Sequence, residues 1–333
     1  MSNPILVEVT RGNLVESRHR GAIAVVDAFG RQVYGLGDVE APVFPRSAIK
    51  VLQAIPLVES GAAEAFGFGN RELSLACASH SGEPGHVELA ADLLGRAGLD
   101  ARALECGCHW PSGQSIALAM ARAGEPLTPL HNNCSGKHSG FLCTAVHLGE
   151  ETAGYVRADH PVQQRAHAAM EDLTGVTLGP DVRGTDGCSI PTYAAPLSSF
   201  ATAFAKLVSG ENVAAERAQA GQQLIAACVA EPWYMAGTGR ACVSLIEAGK
   251  GRVFVKTGAE GVFCGAVPEL GLGFALKIDD GAGRASEVAA AATLSQMFRA
   301  HDPALSDVYA ALSRTTLWNW EKVEVGEVRA VLR

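Results

Sequence analysis

The sequence predicts an α/β fold in which both ends of the chain build one antiparallel sheet and the middle forms a helical lobe. Three observations predict it. Short apolar runs bounded by glycine or polar turns cluster at the two ends, which is the pattern of strands. The middle carries long runs with apolar residues three and four apart, the spacing of one helical face. No stretch rich in Gly, Ser or Pro separates the two kinds of segment, so one domain over 1–333 is expected, with sheet from about 1–44 and 236–333 and helices from about 45–235.

Taken in order, Ile5 to Val9, Asn13 to Arg18, Ala22 to Asp27 and Val33 to Gly37 read as strands of a meander. After Pro45 the period changes. Ala48, Val51, Leu52, Ile55 and Val58 share a helical face, and Pro56 is expected to kink or end that helix near Ile55. Helices are expected over 71–77, 85–97, 115–123, 138–148, 161–174, 195–208 and 212–229. Ala241 to Ala248, Val253 to Lys256, Val262 to Val267 and Gly273 to Ile278 read as strands, and a last helix is expected over roughly 284–300.

Composition narrows the function. The chain has 333 residues, of which 48% are hydrophobic and 19% charged, enough apolar material for a large core. A net charge of −8 repels phosphate backbones, and no Lys/Arg run is interleaved with aromatics, so nucleic acid is not an expected partner. No apolar run approaches the roughly 18 residues of a spanning helix. The start, Met1-Ser2-Asn3-Pro4, lacks a basic region followed by an apolar stretch, so a cytoplasmic enzyme is expected. Nine irregularly spaced cysteines read as free thiols or metal ligands.

Two constellations carry chemistry. Ser47-Ala48-Ile49-Lys50 sets a hydroxyl and an amine three residues apart at the start of a helix, where they share a face. A serine is a poor nucleophile until a base takes its proton, and a lysine kept neutral by desolvation can do so. Ser79-His80-Ser81 and Lys256-Thr257-Gly258 follow, the second after a strand-like run. The order Ser-x-x-Lys, central serine motif, Lys-Thr-Gly is that of penicillin-binding proteins and class A β-lactamases. The other constellation is polar and rich in small residues: His131-Asn132-Asn133-Cys134-Ser135-Gly136-Lys137-His138, then Gly184-Thr185-Asp186-Gly187-Cys188-Ser189. Cys134 and Cys188 are soft donors, and two thiolates with a third ligand and an open position describe a catalytic-type zinc site. By spacing, either Lys137 or His138 could supply that ligand. Cys106-Gly107-Cys108-His109 is poorly spaced for one tetrahedral ion and reads as structural. His80, Glu83 and His86 lack the i, i+4 histidine pair of zinc proteases and are expected to line the pocket.

These motifs, with His109-Trp110-Pro111 and Ala275-Leu276-Lys277-Ile278-Asp279-Asp280-Gly281, resemble the rhizobial-type L-asparaginases, the class 3 or asparaginase II family. Cys108 departs from the pattern, in which a residue such as proline is expected. The resemblance spans essentially the whole chain. It implies a serine β-lactamase-like fold, hydrolysis of L-asparagine to L-aspartate and ammonia, and a homodimer. It implies two Ser–Lys pairs, Ser47 with Lys50 and Ser79 with Lys256, and zinc held by Cys134, Lys137 and Cys188 with Asp186 beside it. Arg46, His80, Asn133, His138, Asp186, Thr257 and Gly258 are the candidate substrate-binding residues. A glutaminase, a β-lactam-type serine hydrolase and a non-catalytic zinc-binding sensor are the alternatives.

Overall fold

The computed structural model describes residues 2–332. It divides into two compact units. One comprises the segment up to Ala48, Ala195–Ser209 and the chain from Ser244 onward; the other comprises Ile49–Ala194 and Gly210–Val243.

The first unit is built on an eight-stranded antiparallel sheet. Its strands run in the order Arg314–Trp318, Glu324–Ala330, Ile5–Arg11, Leu14–Val26, Leu272–Ile278, Val262–Val267, Phe254–Thr257, with Gln32–Leu36 also paired to Leu14–Val26. Both ends of the chain therefore meet inside one sheet, Val7 standing opposite Ala330 and Ala24 opposite Ala275. The two strands expected over 13–18 and 22–27 are one continuous strand, Leu14–Val26. Gly21 read as a break, but it marks a close approach. A Cβ there would lie 2.2 Å from the Lys277 carbonyl oxygen, so only glycine lets the neighbouring strand pass. Beyond Gly21 the residues Ala22 to Val26 are all buried, as a strand paired on both edges and covered on its faces requires. Helices Leu197–Ser209 and Gly283–Phe298 pack on the sheet. The approach of the first is again set by a glycine: a Cβ on Gly273 would meet the Ala201 carbonyl oxygen at 2.1 Å.

One expected strand is a helix. Ala241–Ala248 is α-helical, and its buried Cys242, Leu245 and Ile246 show the three-and-four spacing of a helical face. Its β-branched content misdirects a reading by propensity. The helix Pro303–Leu312 and the hairpin Arg314–Trp318/Glu324–Ala330 complete this unit beyond the last helix expected.

The second unit is helical: Lys50–Glu59, Asn70–Ala76, Pro84–Arg96, Gln114–Ala123, Ser135–His147, Pro161–Thr174 and Ala215–Ala230. Pro56 does not end its helix, which runs on to Glu59 with Pro56 buried inside it. Packing on both flanks outweighs the lost backbone bond there. A two-stranded ribbon, Arg183–Thr185 with Pro191–Tyr193, presents Asp186 to Ser189 at its turn. Leu94, Leu104, Phe141, Leu142, Tyr155, Val162 and Ile190 form one buried cluster, and Cys134 and Cys188 belong to it. Among the described residues no helix is long and apolar enough to cross a membrane.

Candidate active site

In the helical unit the site is assembled from three elements. Lys50 opens its helix, Ser79 follows the end of Asn70–Ala76, and Cys134 precedes Ser135–His147. Lys50 has no exposed surface. Its Nζ meets the Ala78 carbonyl, Ser79 Oγ at 2.9 Å and Cys134 Sγ at 3.1 Å. The amine is the donor in all three contacts.

The loop ahead of Ser135–His147 is fixed by its own polar groups. Asn132 Oδ1 accepts the Cys134 N–H at 2.8 Å, and its Nδ2 donates to the Cys106 carbonyl at 2.8 Å. His109 Nε2 accepts the Asn133 N–H at 2.9 Å, and the Asn133 side-chain amide stands 3.2 Å from Cys134 Sγ. The Cys106–His109 segment thus serves as a backing for the Cys134 loop. Cys106 is buried and Cys108 exposed, so the two do not converge.

Lys137, also fully buried, lies 3.2 Å from Cys188 Sγ. Cys134 and Cys188 share a hydrogen bond. By accepting it, Cys134 is held well below the ordinary thiol range against its burial, with Lys50 and Lys137 adding to the effect. Donating that bond, together with burial, pushes Cys188 up. Burial works against the Lys137 ammonium, but Cys188, Cys134 and Asp186 outweigh it and its net shift is upward. Two sulfurs and an amine therefore converge. Among the described residues no three His, Cys, Asp or Glu side chains gather in that way.

His80 and His138 flank this centre. His80 N–H donates to the Asn133 carbonyl at 3.1 Å. The Gly82 N–H donates to His80 Nδ1, so the ring proton is on Nε2 and goes to Ser135 Oγ at 2.9 Å. Burial, then His86 and Lys50, keeps His80 well below the usual imidazole range. The imidazoles of His80 and His86 stack at 4.9 Å and that of His86 stacks on Trp233 at 4.1 Å. His138 is likewise held down, by burial first and then by Lys137 and Lys50.

Ser47, Lys256 and Gly258 belong to the sheet unit. Ser47 lies on the short 3₁₀ turn Arg46–Ile49, which Arg46 enters with φ of 51°, a left-handed conformation. Lys256 is buried on the strand Phe254–Thr257, opposite Cys264, and donates to the Thr257 carbonyl at 3.0 Å. Gly258 brings this strand end against the Ser47 turn. A Cβ on Gly258 would meet the Pro45 oxygen at 2.6 Å and the Ala48 nitrogen at 3.1 Å. The Lys-Thr-Gly segment and the serine turn are therefore neighbours in space, although about 210 residues separate them.

The L-asparaginase II family model matches residues 7–330. The chain belongs to the L-asparaginase II family. As a member of it, the protein is an amidohydrolase with a small-molecule substrate. No curated protein matches the chain. Among solved structures it is similar to a β-lactamase from Mycobacterium bovis, at 16% identity over 88% of this chain and 94% of that one, with a TM-score of 0.43. It is also similar to a simvastatin synthase mutant from Aspergillus terreus, at 13% identity over 87% and 92%, with a TM-score of 0.41.

Asn132, Ser135 and Tyr155 also support this family member's site, and sequence reasoning did not single them out. Asn132 had a signal, an Asx residue two before Cys134, the residue that caps the helix Ser135–His147. Tyr155 had none, because its contacts come from helices and loops distant in sequence.

Proposed function

We propose that this family member hydrolyses the side-chain amide of L-asparagine to L-aspartate and ammonia, with Ser47 as nucleophile and Lys50 as its base. The observation that supports the reading is the environment of Lys50, a wholly buried amine whose Nζ lies 2.9 Å from the Ser79 hydroxyl and which stands three residues after Ser47, in a chain of this family. Ser47 stands three residues before Lys50 on one continuous helical run, Arg46–Ile49 followed by Lys50–Glu59. Lys50 takes the Ser47 proton as Oγ attacks the amide carbon. The proton passes to the departing nitrogen through the Lys50–Ser79 hydrogen bond, with Lys256 assigned to assist. Water then cleaves the β-aspartyl ester. His80, Asn133, His138, Asp186, Arg46, Thr257 and Gly258 are assigned to substrate binding.

Cys134, Lys137 and Cys188 fit a zinc ion. Two sulfurs and a nitrogen converge, and the buried Nε2 of His138 in the same region has no partner. Those three residues would hold the metal, and its chemistry would be to polarise and orient the amino-acid end of the substrate. A homodimer in the cytoplasm is the assembly and location proposed.

Ammonia release from L-asparagine, L-glutamine and a β-lactam panel tests the reading. Asparagine is expected to turn over fastest. Ser47→Ala is expected to lose on the order of 10⁴–10⁶ in kcat. Retained turnover in Ser47→Ala together with loss in Ser79→Ala would transfer the nucleophile role to Ser79.

A further inference from the structure

The hairpin Arg314–Trp318/Glu324–Ala330 ends the sheet, and Arg314–Trp318 is its outer strand. Only one side of that strand is paired. The Ala330 N–H donates to the Ser313 carbonyl, and at the other end the Asn319 N–H donates to the Val323 carbonyl, both at 3.0 Å. Ser313 and Asn319 therefore direct their backbone groups toward the inner strand. Backbone direction alternates along a strand, so Thr315 and Leu317 do the same, while Arg314, Thr316 and Trp318 direct their N–H and C=O groups outward. Arg314, Thr315, Thr316 and Trp318 are all exposed. The outer strand carries neither proline nor lysine, and the one register shift in the ladder adds its extra residue to the inner strand. The devices that normally blunt an open edge are thus missing from it.

Apolar surface gathers at the same corner. Five of the twelve large hydrophobic side chains exposed among the described residues fall between 308 and 323: Val308, Leu312, Trp318, Trp320 and Val323. Trp318 is 61% exposed and Trp320 wholly so. With about 250 Å² for a whole Trp side chain, the two present about 400 Å², half of the roughly 800 Å² that each partner gives to a stable interface.

The edge is complementary to itself. An antiparallel copy must set outward residues opposite outward residues, and the register that uses the whole strand is centred on Thr316. Thr316 then exchanges backbone bonds with its own copy, and Arg314 with Trp318 of the second copy. About six hydrogen bonds form across one two-fold axis. Directly opposite residues share a face, so the Arg314 guanidinium meets the indole of the second copy's Trp318, a cation against a ring face. Continued by two residues, this register sets Trp320 opposite Leu312 of the second copy, one exposed apolar group against another. Both matches follow from a register fixed by the backbone alone. We infer that Arg314–Trp318 is a self-pairing edge, through which two copies of this chain join their sheets about an axis at Thr316. The inference rests on the homodimer proposed above, whose surface it names, and it is independent of the substrate. Pairing uses up this edge in both copies, so the contact closes at two.

Sedimentation equilibrium of the full chain tests it. The wild type is expected to be a dimer at about 10 μM. Thr316→Pro removes an N–H directed away from the ladder, a place where edge strands tolerate proline, and is expected to give a folded monomer by circular dichroism. Trp320→Ser, beyond the strand, is expected to raise the dimer Kd by about 10–100-fold. Cys108→Ser removes the one exposed thiol among the described residues. In that background Thr316→Cys is expected to form disulfide-linked dimers on mild oxidation, because opposite residues of such a pair stand about 5.5 Å apart at Cα. Thr315→Cys, which would face Leu317 of the second copy, is expected to link far less. A monomeric wild type would overturn the surface and the homodimer together. A dimer that persists in both Thr316→Pro and Trp320→Ser, or that Thr316→Cys does not link, would overturn the surface alone, as would assemblies that grow past two copies. Ammonia release from asparagine on the same samples reports the functional reading separately.

Discussion

Gly136 is the residue on which the two halves of the Lys50 centre are set against each other. It is the second residue of Ser135–His147, two after Cys134 and one before Lys137. A Cβ added there would lie 2.3 Å from the Leu75 carbonyl oxygen and 2.5 Å from Leu75 Cγ. Ordinary contact needs about 1 Å more. Leu75 is on the helix that leads through Ala78 to Ser79, so Gly136→Ala has to push the start of Ser135–His147 away from it by about that distance. Overpacking of this kind costs about 1–3 kcal/mol. The larger effect is expected on chemistry, because a misplacement of about 1 Å can cost on the order of 10²-fold in rate. The Lys50 Nζ cannot keep both Ser79 and Cys134 within hydrogen-bond reach when the two elements separate. Thermal unfolding and ammonia release, measured together, check this. Trimming Leu75 to alanine in the same chain removes the Cγ clash but leaves the carbonyl, so it is not expected to restore activity. A Gly136→Ala protein with wild-type melting and turnover would refute the reasoning.

Gly258→Ala forces a Cβ against the Pro45 oxygen and the Ala48 nitrogen, and it is expected to lower turnover more than stability by displacing the Ser47 turn; equal, small losses in both would count against that. His80 stays neutral in the fold while an unfolded histidine protonates near pH 6.5, so native stability is full above that pH and falls as the pH drops through it. The expected slope is about 1.4 kcal/mol per pH unit for this one group, and denaturant titrations between pH 7 and 5 should show a shallower fall in His80→Gln. Purified protein is expected to carry one zinc per chain by atomic emission, and Cys188→Ser to carry much less; metal content unaffected by Cys188→Ser would remove the ligand assignment.

Much of the fold was legible because the strands near both ends are short, apolar and bounded by turns, and the middle keeps a helical period. The failures have local causes. Gly21 looks like punctuation and is a crossing point between strands. Ala241–Ala248 has strand-like composition and a helical burial period. The candidate residues were legible because Cys134, Lys137, Asp186 and Cys188 sit in segments too polar and too rich in small residues to be simple connections. Their partners were not. The Lys50–Ser79 contact spans 29 residues and depends on how two helices pack, and nothing near Tyr155 announces the histidine it holds.

The sheet that closes on both ends of the chain also sets a timetable for synthesis. The strand Leu14–Val26 is made early, but its partner Leu272–Ile278 emerges about 240 residues after Gln32–Leu36. At 5–20 residues per second that is roughly 12–50 s. Throughout it the apolar run Ala22 to Val26 has one open edge, to which another chain can pair. Most of the helical unit leaves the ribosome inside that interval. A nascent chain would thus hold much of its helical unit before this sheet could be completed, and chaperone demand would fall on Ala22 to Val26.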